Sequence, residues 1–303
     1  MIKIDNHINI LDFPSFQYPH CNCLWIADDI NCLIDTSPSL KDLEYLLKNP
    51  VDLIINTHGH MDHYMFNHYF PNSKIMMHQA DHGIAQSADT YLDKFGFKTY
   101  NKNPDMNRLI LEGLKYRTTK IDESIEDKQV INLGTTSFET LHLPGHSPGH
   151  CGFWFPEQGF VYTADIDLSE FGPWYGNLNC SLPEFLQSIE RLLNMKPDYI
   201  VTGHGGPIVK EHVISRLKGY RDIIYARQRR IMELIHRGHH TLEEIARAIP
   251  IYLQLPRPKA LFYVYEQVMI TIHLRYLQEL GYITQEGLRY YLKEGIHPSR
   301  ISI

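Results

Sequence analysis

The segment Thr57-His58-Gly59-His60-Met61-Asp62-His63 constrains this chain more than any other stretch of it. It follows Val51–Asn56, whose sequence VDLIIN predicts a strand buried on both faces. His58, His60, Asp62 and His63 are four potential metal ligands within six residues. Imidazole and carboxylate together suit Zn²⁺ and similar divalent ions. Protonated imidazoles held this close would repel one another, and they serve little packing purpose in a loop. A ligand-rich loop at the end of a buried strand therefore predicts a metal centre at a sheet edge.

Three more candidate ligands stand in comparable settings. His146 lies in Leu143-Pro144-Gly145-His146-Ser147-Pro148-Gly149-His150, Asp165 in Tyr162-Thr163-Ala164-Asp165, and His204 in Thr202-Gly203-His204-Gly205. Each follows an expected strand, so all can converge on one edge, and glycine beside a ligand admits close backbone approach. Further strands are expected at Cys23–Ile26 and Asn31–Ile34, at Ile75–His78, Val130–Leu133 and Thr136–Leu143, and at Phe153–Phe155, Phe160–Thr163 and Tyr199–Val201. Helices are expected at Leu40–Leu47 and after the Ser181/Glu184 capping pair. This order reads as an α/β layered fold. A stretch with helical periodicity, about 83–127, is long for a connection and reads as an insertion, either a substrate lid or a packing element.

Beyond residue 210 the pattern changes. His212–Arg237 is an amphipathic helix closed by Gly238, Thr241 and Glu244 cap a second helix, and Lys259–Leu280 forms a third that stops at Gly281. A short hairpin across Gln285-Glu286-Gly287 follows. Helix, capped helix, long helix and hairpin is the order of a winged helix. The charge splits at the same place. Residues 1–204 hold 26 acidic against 14 basic side chains, a net −12, whereas 205–303 hold 9 against 15, a net +6. The expected domains are therefore 1–210 and 211–303.

The motif His58-x-His60-x-Asp62-His63 with His146, Asp165 and His204, in that order, resembles the metallo-β-lactamase superfamily over about residues 20–210. The resemblance implies an αββα sandwich with a dinuclear site at one edge, followed here by a small α-rich winged-helix-like domain. It assigns His58, His60 and His146 to one metal, Asp62, His63 and His204 to the other, and Asp165 to both, with Asp35 supporting them. The two metals would be Zn, with Fe or Mn as alternatives. A bridging hydroxide would attack a carbonyl or phosphoryl centre, and Asp62 would hold a metal and orient that nucleophile, the catalytic role.

The residues around the motif sort the members of the superfamily. His60 stands where flavodiiron oxygen reductases carry glutamate, which disfavours oxygen reduction. The pattern from Thr57 to His150 is close to glyoxalase II, although that family's glutathione-binding segment has no counterpart after His204. Leu168 stands where acyl-homoserine lactonases carry tyrosine, so a lactonase would need Tyr175 or another donor. The tail looks like that of members resembling β-lactamase-like protein 2. The expected activity is hydrolysis of a small ester, thioester or lactone, with Trp174 and Tyr175 walling the cleft. The alternative is a ribonuclease-like phosphodiesterase whose basic tail, with Arg221, Arg227, Arg229 and Arg230 on one helix, binds RNA or DNA. The apolar third helix with Glu266 disfavours it, since base reading wants outward Arg, Asn or Gln. Contact with the acidic domain, or a homodimer, is the preferred use of the tail. His150 could support the site, whereas Cys21 and Cys23 are expected in the core. No apolar run approaches a membrane span and no leader is visible, so the expected compartment, given five cysteines, is a reducing cytoplasm.

Overall fold

The computed structural model describes residues 1–101 and 104–298. Residues 102 and 103, within the expected insertion, and 299–303, at the end of the expected C-terminal domain, lie outside the described residues. Two sheets stack face to face. The first holds β1 (Ile2–Lys3), β2 (Ile8–Leu11), β3 (Cys23–Ile26), β4 (Cys32–Ile34), β5 (Leu53–Ile55), β6 (Lys74–His78) and β7 (Glu123–Ile125) in chain order. Its strands are antiparallel up to β4 and parallel from β4 to β7. The second holds β8 (Val130–Asn132), β9 (Ser137–His142), β10 (Cys151–Phe155), β11 (Phe160–Tyr162), β12 (Tyr199–Val201) and β13 (Ile208–Val209), again in chain order. Only its β11–β12 pair is parallel.

The described helices are α1 (Leu40–Leu46), α2 (Met61–Tyr64), α3 (His82–Gln86), α4 (Ala88–Lys94), α5 (Phe97–Tyr100), α6 (Pro104–Gly113), α7 (Leu182–Met195), α8 (Val213–His236), α9 (Leu242–Arg247) and α10 (Lys259–Glu279). Strand alternation sorts the layers. Leu53 and Ile55 of β5 face the space between the sheets, where they meet Phe153, Phe155 and Tyr162 from the second sheet. Ile54, between them in sequence, faces outward onto Leu43 and Leu46 of α1. On the opposite outer face Leu141, Val161 and Ile200 pack with Phe185, Ile189 and Leu192 of α7. Burying each of those helix side chains contributes about 1.5–3 kcal/mol. Ser181 caps α7 by accepting from the Glu184 N–H, as the sequence implies. The layers run helix, sheet, sheet, helix, which is the αββα architecture.

The C-terminal elements follow in the expected order, and Thr241 and Glu244 form both halves of their capping box. The hairpin is β14 (Ile283–Glu286) with β15 (Arg289–Leu292). One apolar cluster runs from Tyr91, Phe95 and Phe97 through Tyr175 and α7 into α8 and α10. The hydrophobic core thus crosses the charge boundary near residue 210. Two details differ from the sequence reading. The insertion is helical only to Gly113, and its end supplies β7, because Glu123–Ile125 pairs in parallel with β6. The short N-terminal strands β1 and β2, absent from the reading, extend the first sheet.

Candidate metal centre

Every candidate ligand sits where a strand ends. The segment 56–60 and the helix α2 follow β5, His146 follows β9, Asp165 follows β11 and His204 follows β12. The carboxyl ends of parallel strands in open α/β sheets are where such sites form. His58 Nε2 lies 3.2 Å from His146 Nε2, and His60 Nδ1 lies 2.9 Å from the same atom. His63 Nε2 lies 3.3 Å from His204 Nε2, and Asp62 Oδ2 lies 3.4 Å from His204 Nε2. Asp165 faces both trios. Its Oδ2 is 3.2 Å from His146 Nε2, and its Oδ1 is 2.9 Å from His63 Nε2 and 3.4 Å from His204 Nε2. The structure therefore brings together all seven residues singled out from the sequence, in the two sets anticipated, with Asp165 between them.

The donor chemistry fits divalent cations. His146 donates from Nδ1 to the Trp174 carbonyl at 2.8 Å, so its Nε2 turns a lone pair inward. His58 places Nδ1 at 2.9 Å from the Thr57 hydroxyl, and His60 places Nε2 at 2.5 Å from the Asn177 amide. The atom there is the Asn177 amide nitrogen and the amide oxygen has no partner; with the amide turned end for end, that oxygen accepts the His60 Nε2 proton and leaves Nδ1 free to aim a lone pair at the centre. Three lone pairs then converge with no proton between them. Asp165 Oδ1, buried, also lacks a well-aligned donor.

The imidazoles of the two sets are shifted in opposite directions. Burial drives His58 well below its ordinary value, with the neighbouring imidazoles adding to the shift. Burial, only partly opposed by Asp165, lowers His60 to about 4 and His146 to about 3. His63 goes the other way: burial opposes its charge, yet Asp165 and Asp35 lift it well above the usual imidazole range. His204 rises likewise, against burial, because of Asp165 and Asp62. Burial works against the charged forms of Asp165 and Asp62 too, but the facing imidazoles hold both below the usual carboxylate range.

Two buried carboxylates hold the loops from behind. Asp35, at the end of β4 and at φ +59°, accepts His63 Nδ1–H at 2.8 Å, the Thr57 N–H at 2.9 Å and the Thr57 hydroxyl at 3.0 Å. Through Thr57 it also steadies His58, so the supporting role anticipated for it reaches one ligand in each set. Asp81, which the sequence reading missed, accepts Gly59 N–H at 2.9 Å, Gly149 N–H at 2.8 Å and the Ser147 hydroxyl. It ties the 57–63 and 146–150 loops together. A Cβ on Gly59 or Gly149 would come within 2.9 Å or less of Asp81, which is why glycine flanks the ligands. Asn177 was missed as well; a motif search has no signal for either residue, because each acts on loops far away in sequence. His150, fully buried, bonds the Leu143 carbonyl through Nδ1 and accepts the Asp165 N–H through Nε2 at 3.3 Å. It holds the Asp165 backbone from behind.

The centre floors a cleft of about 860 Å³. Phe16 and Tyr18 line it from the N-terminal loop, Tyr91 and Phe95 from the insertion, Phe171 and Trp174 from the loop after Asp165, and Tyr252, Phe262 and Tyr265 from the C-terminal region. The insertion both walls the cleft and packs on α10, where the Tyr100 and Thr271 hydroxyls meet at 2.7 Å. Trp174 stands where the sequence reading put it, with its ring edge-on to His60. Tyr175 does not: it is fully buried and turned away, with its hydroxyl 2.7 Å from His273 Nε2. Among the described residues Arg216 is the one Lys or Arg in the lining, against Asp62, Asp165, Asp167 and Glu170.

Comparison with known proteins agrees with this geometry. A family model described as the metallo-beta-lactamase superfamily matches residues 19–204. A hydroxyacylglutathione hydrolase, GloC, of Haemophilus influenzae is 26% identical over 172 residues, 53% of this chain and 71% of that protein. One from Serratia proteamaculans is 22% identical over 262 residues, covering 84% and 86% of the two chains. Against four other curated hydroxyacylglutathione hydrolases the chain spans less than half of their length. A beta-lactamase-like protein 2 homologue of Drosophila melanogaster is 23% identical over 218 residues, 72% of this chain and 66% of that protein. Among solved structures, a beta-lactamase domain protein from Burkholderia ambifaria superposes with a TM-score of 0.74 at 18% identity, covering 96% of this chain and 94% of that one.

Proposed function

The chain belongs to the metallo-beta-lactamase superfamily and is, like its curated relatives, a hydrolase; we propose that it is a dinuclear metal hydrolase of a small ester, thioester or lactone with an apolar acyl group. One observation carries this reading: two ligand sets share Asp165 on the floor of an aromatic cleft. His58, His60 and His146 would hold one cation and Asp62, His63 and His204 the other, with Asp165 facing both; Zn is the first choice by ligand softness, Fe or Mn the alternatives. When bound, two such cations supply hydroxide at neutral pH and polarise a carbonyl oxygen. The protein's own residues do the rest. Asp62 lines the cleft and so is placed to take a proton from the attacking water. Trp174, Phe95 and Tyr265 exclude water around the acyl group. The thioesters named for its glutathione-type relatives make a thioester the first candidate.

A nucleic-acid phosphodiesterase has less support. Among the described residues the cleft carries four carboxylates and one arginine, a poor host for a polyanion. Of the basic residues on α8, Arg227 is buried and bonded to loop carbonyls. Glu266 of α10 is also buried, accepting the N–H groups of Ile251 and Tyr252, and α10 is enclosed along most of its length. A panel of aryl and alkyl thioesters, lactones, bis-aryl phosphodiesters and single-stranded RNA, offered to metal-loaded protein and to Asp62→Ala, tests the reading. Turnover of thioester, ester or lactone that disappears in Asp62→Ala is expected. Turnover confined to the phosphodiesters or RNA would overturn it.

A further inference from the structure

Arg227 is unexplained by the chemistry above, and its environment is unusual. It sits on α8 with 1% of its surface exposed, a guanidinium enclosed by the protein. Its Nη1 donates to the Pro173 carbonyl and, at 3.1 Å, to the Tyr175 hydroxyl, while Nη2 donates to the Phe171 carbonyl. The guanidinium also lies 4.4 Å from the Phe171 ring centroid. All three oxygens are neutral, so the fork is spent on holding a loop rather than on neutralising a carboxylate. A planar five-donor fork suits that task, and lysine could not reproduce it.

The loop it grips is the one that aims the buried ligand set. The Trp174 carbonyl, next in sequence to the gripped Pro173, takes the His146 Nδ1 proton at 2.8 Å, and Asn177 meets His60 Nε2. The loop is docked on the same helix at a second point, because Gly172, at φ +83°, lies so close to Ile223 that a Cβ would come within 2.6 Å of its side chain. A third tie runs from the Trp174 indole N–H to the Tyr252 hydroxyl at 3.0 Å. We propose that Arg227 is a positioning residue for the metal centre: from the C-terminal region it fixes the 171–177 loop, and through Trp174 O and Asn177 it fixes the tautomer and aim of His146 and His60. Arg227, which is not among the residues lining the cleft, thereby contributes to the site without touching substrate. The inference rests on the metal-centre reading above, and it is confined to one of the two ligand sets.

The test compares full-length wild type with Arg227→Lys, Arg227→Met and the control Arg221→Ala, whose guanidinium is at the surface with Glu190 and Asp222. Circular dichroism and melting establish folding. Zn²⁺ affinity is read by competition with a chromogenic chelator, and ligand geometry by the visible spectrum of the Co²⁺-loaded proteins. Folded Arg227→Lys should lose roughly 10-fold or more in affinity for one of two Zn²⁺ equivalents and change its Co²⁺ spectrum, with Arg221→Ala unaltered. Wild-type affinity and spectrum in folded Arg227→Lys would overturn the inference, as would an equal loss in Arg221→Ala. If neither Arg227 variant folds, Tyr175→Phe, which removes one of the three acceptors, should show a smaller loss with the same spectral change; an unchanged Tyr175→Phe would overturn it. Wild type that binds no Zn²⁺ would overturn the metal reading itself, a different result from a wild type that binds two and a variant that does too.

Discussion

Two ligand sets a few ångström apart are built on different principles. His58, His60 and His146 are buried imidazoles whose charged forms burial disfavours, and their supports are uncharged groups: the Thr57 hydroxyl, the Asn177 amide and the Trp174 carbonyl. Asp62 and His204 line the cleft with fully buried His63 behind them, and facing carboxylates raise both imidazoles above their ordinary value. Burial disfavours protons on the first set, whereas facing carboxylates favour them on the two imidazoles of the second. Asp165 joins them in front and Asp35 from behind. The contrast teaches that one edge can hold a neutral nest and a charged one side by side, provided a shared carboxylate balances both.

Removing what the sets share should do the most damage. Asp165→Ala is expected to lower turnover by more than about 100-fold and to weaken both metal equivalents in a chelator titration. Retention of one tight equivalent would make Asp165 a member of one set rather than a bridge. Supports that belong to one set come next. Asn177→Leu should weaken one equivalent, and Asp35→Asn both, each by roughly 10–100-fold; identical profiles for the two variants would erase the distinction drawn here.

Acid titration probes the same contrast through stability rather than turnover, and its sign is fixed by the shifts. An imidazole with a lowered folded value costs stability as pH falls, because the unfolded chain takes up a proton that the folded chain refuses. For metal-free protein His60 contributes this loss between its ordinary 6.5 and about 4, and His146 and His150 continue it to about 3. The slope is about 1.4 kcal/mol per pH unit for each group. His63 and His204, with raised values, act in the opposite sense, stabilising at low pH and losing that contribution as pH rises through their folded values. The neutral set and His150 outnumber them, so the melting temperature of metal-free protein should fall from pH 7 to pH 4.5. A rise would mean that the charged set governs.

The seven candidate ligands that the structure brings together were legible because metal chemistry demands particular residue types at short spacing after strands. The layered fold was legible from VDLIIN-type runs and from caps such as Ser181 and Thr241. What escaped was whatever works across long sequence separations. Asp81 joins two loops through backbone N–H groups, and Asn177 orients a ligand 117 residues earlier. Neither role leaves a local pattern. Trp174 and Tyr175 were read together as cleft walls, yet adjacent residues in a tightly wound loop face opposite ways, and only Trp174 reaches the cleft. The charge split falls near the change from strands to long helices at α8, but a count could not reveal that Arg227 is enclosed and bonded to carbonyls.

Titration of metal-free protein with Zn²⁺, followed by metal content per chain and by hydrolysis of an aryl thioester in the same samples, tests the central claim most directly. Two equivalents per chain with turnover that depends on them, and an Asp62→Ala protein that loses turnover and holds fewer than two, are the predicted results. Well under one equivalent per chain, with no activity regained on adding Zn²⁺ or Mn²⁺, would contradict the account.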